Sequence, residues 1–280
     1  MKKKSYFWLT VPALMFIVLV FFIPLFFLIS KSFQTYIPGS LFTDRKLTFD
    51  NYKIIFKDSY VVSVYLRTLY ISFISTLVIF VLGYPISLWI SRLNKKYRGF
   101  IMTLVILPMI GGAMIQTMGW FTILMNYGVL NSILRNLNLI DNPIAFLGTN
   151  RGVIIGLVQS FLPMMIYPLT SSLLAIDPQI LESARTLGAK PMRVFYKVTF
   201  PLSRPGALAG TILVFMACLT SFVTPSSLGQ GKIQMFGTYA YQQAMLVMNW
   251  PFASAYSIFF LIMVGIIFIG CTKMVKGGNK

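Results

Sequence analysis

The residues whose types and spacing best predict a specific role lie in a polar, basic stretch, Ile176–Gly206, within a chain that is otherwise mostly apolar. Asp177 can accept a hydrogen bond from the backbone at the start of a helix, and Pro178 suits the first helical position, where no N–H partner is needed. Gly188 is a natural left-handed stop for that helix. These residue types provide backbone capping, and they predict a short helix that begins and ends sharply.

The same stretch continues as a second short helix, which Pro191 begins and Pro201 ends before the next apolar run. Glu182 and Arg185 are three residues apart and can form an ion pair on the solvent-facing side of the first helix. Its other side is apolar and consists, at helical spacing, of Ile180, Leu181, Ala184 and Leu187. Because an element between two membrane spans cannot bury such a side in its own chain, we expect it to dock into a groove on another protein.

The composition of the 280-residue chain is typical of an integral membrane protein. Hydrophobic residues make up 57% of the chain and charged residues only 11%, whereas a soluble domain carries about 25% charged residues. The apolar segments are long and do not alternate with period two, so we expect an all-α protein with helical spans. Six transmembrane helices are predicted, at 7–29, 60–90, 100–125, 152–174, 204–228 and 252–271.

The distribution of charge along the chain orients these helices. Lys2, Lys3 and Lys4 precede an apolar run that is too long for a cleaved signal peptide and lacks a cleavage site, so we interpret it as an uncleaved anchor. Most Lys and Arg residues fall in segments that are cytoplasmic when both termini are inside, as the positive-inside rule requires. The expected organisation is an N-terminal anchor and outer loop over 1–59, a core of five spans over 60–271 with a cytoplasmic loop over 176–204, and a cytoplasmic tail over 272–280.

Residue types that the chain lacks disfavour several classes of protein. The chain has no His, and Cys218 and Cys271 lie inside or at the inner end of a span, so neither a metal site nor a disulfide is expected. The net charge of +18 follows the membrane topology, and we expect no nucleic-acid partner. No acidic residue lies in the middle of a predicted span, and no catalytic set or P-loop is visible. The chain is therefore expected to have no catalytic residues and to receive energy from a partner, with a secondary carrier, a channel or a membrane scaffold as the alternatives.

Polar residues occur at depth in the third, fourth and fifth predicted spans, and they are candidates to line a passage. The candidate path residues, two of them aromatic, are Gln116, Trp120, Gln159, Tyr167, Thr220 and Ser221. The alternative is that the polar side chains form hydrogen bonds between helices, at about 1–2 kcal/mol each. Gly206 and Gly210 form a G-x-x-x-G step that permits close helix packing. Gly111–Gly112 after Pro108, and the Thr224–Pro225 step, are expected to disturb helices within the membrane.

The cytoplasmic loop resembles the EAA loop of ABC-importer permeases, and we refer to 176–204 as the EAA-like loop. The family pattern is Glu-Ala-Ala, three residues, Gly, nine residues and then Ile-x-Leu-Pro. The residues that keep the family's types and spacing are Glu182, Ala184, Gly188 and Pro201, while Ser183 replaces an Ala and Val198 and Phe200 replace Ile and Leu. The resemblance implies that the loop is a coupling helix that fits into a cytoplasmic ATPase. The residues expected to form it are Asp177, Glu182, Ser183, Ala184, Arg185, Gly188 and Pro201.

The resemblance extends over nearly the whole chain and is greatest to the permeases of polyamine importers. The segments that carry it include LRTLYISFISTLVIFVLGYPISLWISR, ILPMIGGAMIQTMGWFTILMNYGVLNSIL, FPLSRPGALAGTILVF and NWPFASAYS. It implies a type I ABC importer (MetI-like) fold in the bacterial inner membrane, surrounded by lipid. The implied partners are a second, similar permease subunit, two copies of an ABC ATPase that bind ATP and Mg²⁺, and an extracytoplasmic substrate-binding protein, with no cofactor on this chain.

The mechanism that this resemblance implies is alternating access, in which the ATPase moves the coupling helices and the spans open to one side at a time. The implied cargo is a polyamine of the spermidine or putrescine type. Related permeases for opines, phosphonates, iron and other small solutes share much of the pattern, so a different small solute is the alternative.

Overall fold

The computed structural model describes residues 3–38 and 44–277, and the described chain is mostly helical. Its helices are α1 (Lys3–Ser32), α2 (Asp50–Lys57), α3 (Ser59–Ser91), α4 (Lys95–Ile110), α5 (Ala113–Leu124), α6 (Val129–Asn136), α7 (Asn150–Leu174), α8 (Pro178–Thr186), α9 (Pro191–Val194), α10 (Phe200–Thr220), α11 (Val223–Leu228), α12 (Phe236–Tyr241) and α13 (Trp250–Gly277). Two π-helical segments, Phe195–Thr199 and Gln242–Leu246, and a pair of antiparallel strands, β1 (Gln34–Thr35) and β2 (Asp44–Leu47), are also present. The first two residues of the predicted anchor, 39–43 of the predicted outer loop and 278–280 of the predicted tail lie outside the described residues.

Five helices among the described residues are long and apolar enough to cross a membrane, and a bent pair supplies a sixth span. The five are Leu14–Ser32, Ser59–Ser91, Asn150–Leu174, Pro191–Thr220 and Trp250–Lys273. The pair consists of Lys95–Ile110 and Ala113–Asn136, which are bent by 91° relative to each other. The prediction of an all-α membrane protein with six spans is therefore confirmed.

The predicted third span, 100–125, is formed by two helices. α4 ends at Ile110, and α5 begins at Ala113 after a sharp bend. Gly112 has a φ of 79°, which glycine adopts without the penalty that a side chain would bring. Pro108 also removes a backbone donor from the last turn of α4. The disturbance expected at Gly111–Gly112 is therefore confirmed as a bend between two helices.

The predicted fifth span, 204–228, is likewise formed by two helices. α10 ends at Thr220, and Ser221 is extended, with a ψ of 132°. α11 then begins at Val223, so the break precedes the Thr224–Pro225 step at which it was expected. The reason is that Pro225 lies in the first turn of α11, where a missing N–H removes no helical hydrogen bond.

One compact unit lies within Met1–Ser63 and Tyr239–Ile266. In this unit α2 is held against the end of α1, because the Asn51 side-chain amide donates to the carbonyl oxygens of Ser32 and Gln34, at 2.8 and 2.9 Å. α2 has the sequence DNYKIIFK and begins directly after Phe49.

The second compact unit lies within Val64–Thr238 and Ile267–Lys280, and it contains both candidate sites. Its apolar core includes Ile71, Ile79, Leu124, Leu157, Met165, Val214 and Leu228. α10 packs along α7, and a Cβ on Gly206 would lie 2.5 Å from the Pro168 carbonyl oxygen. The close approach expected from the G-x-x-x-G step is therefore confirmed, as a contact between two helices of the same chain. The functional division at 59/60 and 271/272 stays a prediction.

Candidate coupling loop and membrane path

The first helix of the EAA-like loop begins as its sequence predicts. The Gln179 backbone N–H donates to Asp177 Oδ1 at 2.9 Å, and Pro178 occupies the first helical turn. Later in α8, the Thr186 hydroxyl donates to the Glu182 carbonyl oxygen at 3.0 Å. The loop therefore has a start that is specified by residues next to each other in the chain.

Gly188 ends this helix in the left-handed conformation, with a φ of 80°. Its N–H donates to the Arg185 carbonyl at 2.9 Å, and the Ala189 N–H donates to the Ala184 carbonyl at 3.1 Å. These two bonds together form a Schellman motif, which turns the chain sharply at the end of a helix. The predicted stop is confirmed, and it directs the chain toward α9.

Apolar side chains of the EAA-like loop are left uncovered by the chain itself. Leu187 is 87% exposed, and Ile180, Met192 and Tyr196 are exposed as well. Exposed apolar groups of this size on a short amphipathic helix are typical of a surface that docks on another protein.

The ion pair expected between Glu182 and Arg185 does not form within the described residues. Both side chains are exposed, and the ion pair that does form among the described residues joins Lys53 and Asp50, at 2.9 Å within α2. Hydrogen bonding from Lys53 holds the pKa of Asp50 below its ordinary value. The Glu182 carboxylate and the Arg185 guanidinium are thus left on the surface of the loop.

The loop joins the helical bundle through a cluster of aromatic residues. Tyr84 of α3 shares a 2.7 Å hydrogen bond with the Ser203 hydroxyl of α10. The Tyr84 ring also contacts Phe195 and Phe200, with centroids 5.6 and 5.7 Å apart. Phe195–Thr199 is a π-helical segment, and such segments occur often at functional sites. The base of α10 is therefore fixed to α3 directly beside the loop.

Three of the predicted path residues lie on the wall of one cavity. Gln116 of α5, Thr220 of α10 and Ser221 line a space of about 400 Å³. The Gln159 side-chain amide of α7 donates to Gln116 Oε1 at 3.4 Å. The structure thus brings four of the six candidates together, around the bend after α4 and the break after α10.

The two aromatic candidates lie apart from this cavity. Trp120 lines a neighbouring space of about 600 Å³, together with Gln159. The Tyr167 hydroxyl donates to the Met102 carbonyl oxygen at 3.5 Å, which joins α7 to α4. Tyr167 therefore forms the kind of interhelical bond that was the alternative to a role in the path.

Four residues of these sites were not among the predicted site residues. Ser160 and Thr224 also line the 400 Å³ cavity, and Tyr84 with Ser203 anchors the loop. Ser160 and Thr224 are, like the candidate path residues, polar residues at depth in the fourth and fifth predicted spans, where each could line a passage. Tyr84 and Ser203 are 119 residues apart, and no local pattern relates them.

The chain is similar along most of its length to known transport proteins. Residues 83–275 match the family described as binding-protein-dependent transport system inner membrane component. The spermidine/putrescine transport system permease protein PotB of Haemophilus influenzae is 35% identical over 257 residues, which cover 91% of this chain and 89% of that protein. PotB of Escherichia coli is 35% identical over 253 residues, covering 90% and 91% of the two chains.

Solved structures with the same fold include importers of two other solutes. A bacterial ABC transporter involved in the import of the acidic polysaccharide alginate matches with a TM-score of 0.79 and 19% identity, over 100% of this chain and 97% of that chain. The inward-facing MetNI methionine ABC transporter matches with a TM-score of 0.58 and 19% identity, over 77% and 94%. The type I importer fold expected from the sequence is thereby confirmed. With its fold, its matched segment and its near-full-length relatives in agreement, the chain belongs to the family of binding-protein-dependent transport system inner membrane components, the permease subunits of ABC importers.

Proposed function

We propose that this permease subunit imports polyamines of the spermidine or putrescine class. The observation that carries the proposal is the 35% identity to spermidine/putrescine permeases over 90% or more of this chain. The cavity that holds the path candidates fits such a cargo, because its lining offers hydroxyl and amide groups and no positive charge.

The EAA-like loop docks on a partner ATPase, which binds ATP and Mg²⁺. Support comes from the exposed apolar side chains Leu187 and Met192 and from the exposed charges of Glu182 and Arg185. The loop then lies in the cytoplasm, as do both termini, in accordance with the positive-inside rule. An extracytoplasmic binding protein delivers the polyamine at the opposite face of the membrane.

Transport proceeds by alternating access, with motion of the docked loop passed to the helices at its two ends. The loop connects α7 to α10, and these helices pack tightly at Gly206 and Gly210. A second permease subunit completes the path, which on this chain is lined by Gln116, Gln159 and Thr220 with their neighbours. The chain itself converts motion of one partner into motion of the path and performs no chemistry.

A different small solute is the second candidate. Support for it is the 30% identity over 161 residues to the molybdenum transport system permease protein ModB of Azotobacter vinelandii, which covers 55% of this chain. Neither cavity near the path candidates has Lys or Arg in its lining, and such basic groups would favour an anionic solute. A polyamine is therefore the better supported of the two candidate cargoes.

Uptake by the complete importer tests this assignment. The chain, purified with its ATPase, its second permease subunit and its binding protein and placed in lipid vesicles, should accumulate radiolabelled spermidine. Unlabelled putrescine should suppress this uptake, and molybdate should have no effect. An importer that takes up no spermidine, or whose uptake is suppressed by molybdate alone, would overturn the polyamine assignment.

A further inference from the structure

An open apolar groove with a volume of about 1030 Å³ lies between α3 and α10 in the second compact unit. Cys271, near the end of α13, closes part of one side. The walls of this α3–α10 groove carry large apolar side chains, which include Phe73, Leu77, Phe80, Leu208, Ile212 and Phe215. Phe73 and Leu77 are 61% and 50% exposed, so the described part of the chain leaves the groove uncovered.

The residue types in the α3–α10 groove favour hydrocarbon chains over another helix. Helices in membranes approach each other through small residues, and Gly206 and Gly210 allow α10 to pack on α7 in this way. The groove side of the same helix instead carries Leu208, Ile212 and Phe215. Side chains of this size hold a second helix backbone at a distance, whereas a flexible acyl chain can fill the space between them.

The hydroxyl groups of the groove have partners within their own helices. Thr76 donates to the Ser72 carbonyl oxygen at 2.7 Å, and Thr211 donates to the Ala207 carbonyl oxygen at 2.8 Å. Among the described residues that line the groove none is acidic, and Arg204 is the one basic residue. The walls therefore suit hydrocarbon, and the charge of the groove is positive.

Arg204 marks the end of the groove that is next to the EAA-like loop. It lies in the second turn of α10, and its guanidinium carbon is 5.9 Å from the centroid of the Phe200 ring. The side chain is exposed, and within the described chain its guanidinium has no hydrogen-bond or carboxylate partner. Its N–H groups are thus available, and their planar fork matches two oxygen atoms of a phosphate group.

The length of the groove matches one leaflet of a bilayer. Eleven residues separate Arg204 from Phe215 in α10, and at 1.5 Å per residue they span about 17 Å. Half of the hydrocarbon core of a bilayer is about 15 Å thick. A phosphate at Arg204 would therefore place acyl chains along the whole apolar wall, up to Phe215.

We propose that the α3–α10 groove binds one anionic phospholipid, with its phosphate at Arg204 and its acyl chains along α3 and α10. The lipid comes from the leaflet on the side of the EAA-like loop. That this leaflet is the cytoplasmic one rests on the proposed function, whereas the site rests on the groove. Phe80 and Phe200 line the groove and also contact the Tyr84 ring, so the lipid lies against the aromatic cluster that joins the loop to α3.

The test is retention of phospholipid by the complete importer. The importer is freed of lipid and incubated with vesicles of phosphatidylglycerol and phosphatidylcholine, and bound lipid is counted by native mass spectrometry. The unaltered importer should retain phosphatidylglycerol in preference. Arg204→Gln should lower this preference about tenfold, because it removes charge-assisted hydrogen bonds. Arg92→Gln is the matched control, since Arg92 is exposed, follows α3 on the same side of the membrane and does not line the groove.

A second pair of changes tests the groove separately from its charge. Ile212→Trp fills the groove with a larger side chain and leaves Arg204 in place, so it should lower retention of phosphatidylglycerol. Replacement of Ile212 by the photoreactive residue benzoylphenylalanine should give adducts with lipid on illumination. ATPase that copurifies in the usual amount shows that each variant is assembled.

Each outcome decides the proposal. Reduced retention of phosphatidylglycerol in Arg204→Gln and Ile212→Trp, with normal retention in Arg92→Gln and lipid adducts at position 212, supports the site. Equal retention in all variants overturns it, and so does a crosslink from position 212 to the second permease subunit, because a protein then fills the groove. Loss of the ATPase from Arg204→Gln with unchanged lipid retention also overturns it and assigns Arg204 to docking. An importer that retains the lipid but imports no spermidine contradicts the proposed function alone, so the two failures are distinguished.

Discussion

Glycine is required at position 188 because of the backbone conformation there, and not because a side chain would lack space. Its φ is 80°, and nothing lies within 4 Å of the position that a Cβ would occupy. A residue with a side chain loses about 1–2 kcal/mol in this conformation, and a β-branched residue is disfavoured most. The sharp turn between α8 and α9 therefore depends on the residue type at this position.

We expect Gly188→Val to weaken docking of the EAA-like loop, because it disfavours the left-handed stop that orients α8. The measurement is the amount of ATPase that copurifies with the membrane-inserted chain. Gly188→Asn is the matched control, since Asn adopts the left-handed conformation more readily, and it should retain most of the ATPase. Full copurification and full uptake by the Val variant would show that the docking assignment is wrong.

The hydrogen bond between Tyr84 and Ser203 predicts an unequal response to its two deletions. In Tyr84→Phe, the Ser203 hydroxyl keeps its bond to the Phe200 carbonyl oxygen, at 3.1 Å. In Ser203→Ala, the Tyr84 hydroxyl loses its partner in a buried position, at a cost of about 1–3 kcal/mol. Thermal unfolding of the purified importer should therefore show a larger loss of stability for Ser203→Ala than for Tyr84→Phe. The double variant should resemble Tyr84→Phe, and the reverse order would contradict this assignment of partners.

At the scale of elements, the packing of α10 on α7 depends on the absence of a side chain at Gly206. A Cβ at this position would lie 2.5 Å from the Pro168 carbonyl oxygen and would overlap Ser172. The two helices can relieve this overlap only by moving apart, and overpacking of this kind costs about 1–3 kcal/mol.

We therefore expect Gly206→Ala to lower the thermal stability of the purified importer. Gly265→Ala is the control, because that glycine lies inside α13 with nothing within 4 Å of a Cβ. Ala is favoured over Gly inside a helix by about 1 kcal/mol, so the control should be neutral or slightly stabilising. Equal stability of the two variants would mean that the α7–α10 contact is looser than described.

An element could be predicted from the sequence when the residues that determine its start, end or bend are close to one another in the chain. The cap at Asp177, the stop at Gly188 and the bend at Gly111–Gly112 follow from residues within a few positions of one another, and all were predicted. The break at Ser221 was misplaced, because Pro225 is compatible with a helix start as well as with a helix end. Sequence patterns alone do not distinguish these two uses of proline.

The remaining features depend on contacts between distant residues. Tyr84 meets Ser203 across 119 positions, and Thr224 is buried because its methyl group packs against Gly156. The polar path candidates were identified from their depth in the predicted spans. Which of them lie together around one cavity could not be predicted in this way. In the structure Trp120 and Tyr167 lie apart from the cavity lined by Gln116, Thr220 and Ser221.

For the whole molecule, we expect that the chain functions only with a second permease subunit. Its path candidates form part of a wall and do not enclose a channel by themselves, so a second subunit must complete the passage. Native mass spectrometry of the purified importer should find this chain with a different permease subunit and two ATPase copies. A monodisperse single chain in native-like lipid that transports without another permease would contradict this.

The most direct test of the central claim is ATP-driven uptake that depends on the EAA-like loop. Vesicles that contain the complete importer should accumulate radiolabelled spermidine when ATP is present on the side of the ATPase and loaded binding protein on the other. Replacing ATP by a non-hydrolysable analogue, or Gly188 by Val, should abolish most of that accumulation. Spermidine uptake that continues without ATP hydrolysis, or without the ATPase, would contradict the claim that this chain is a permease driven through its coupling loop.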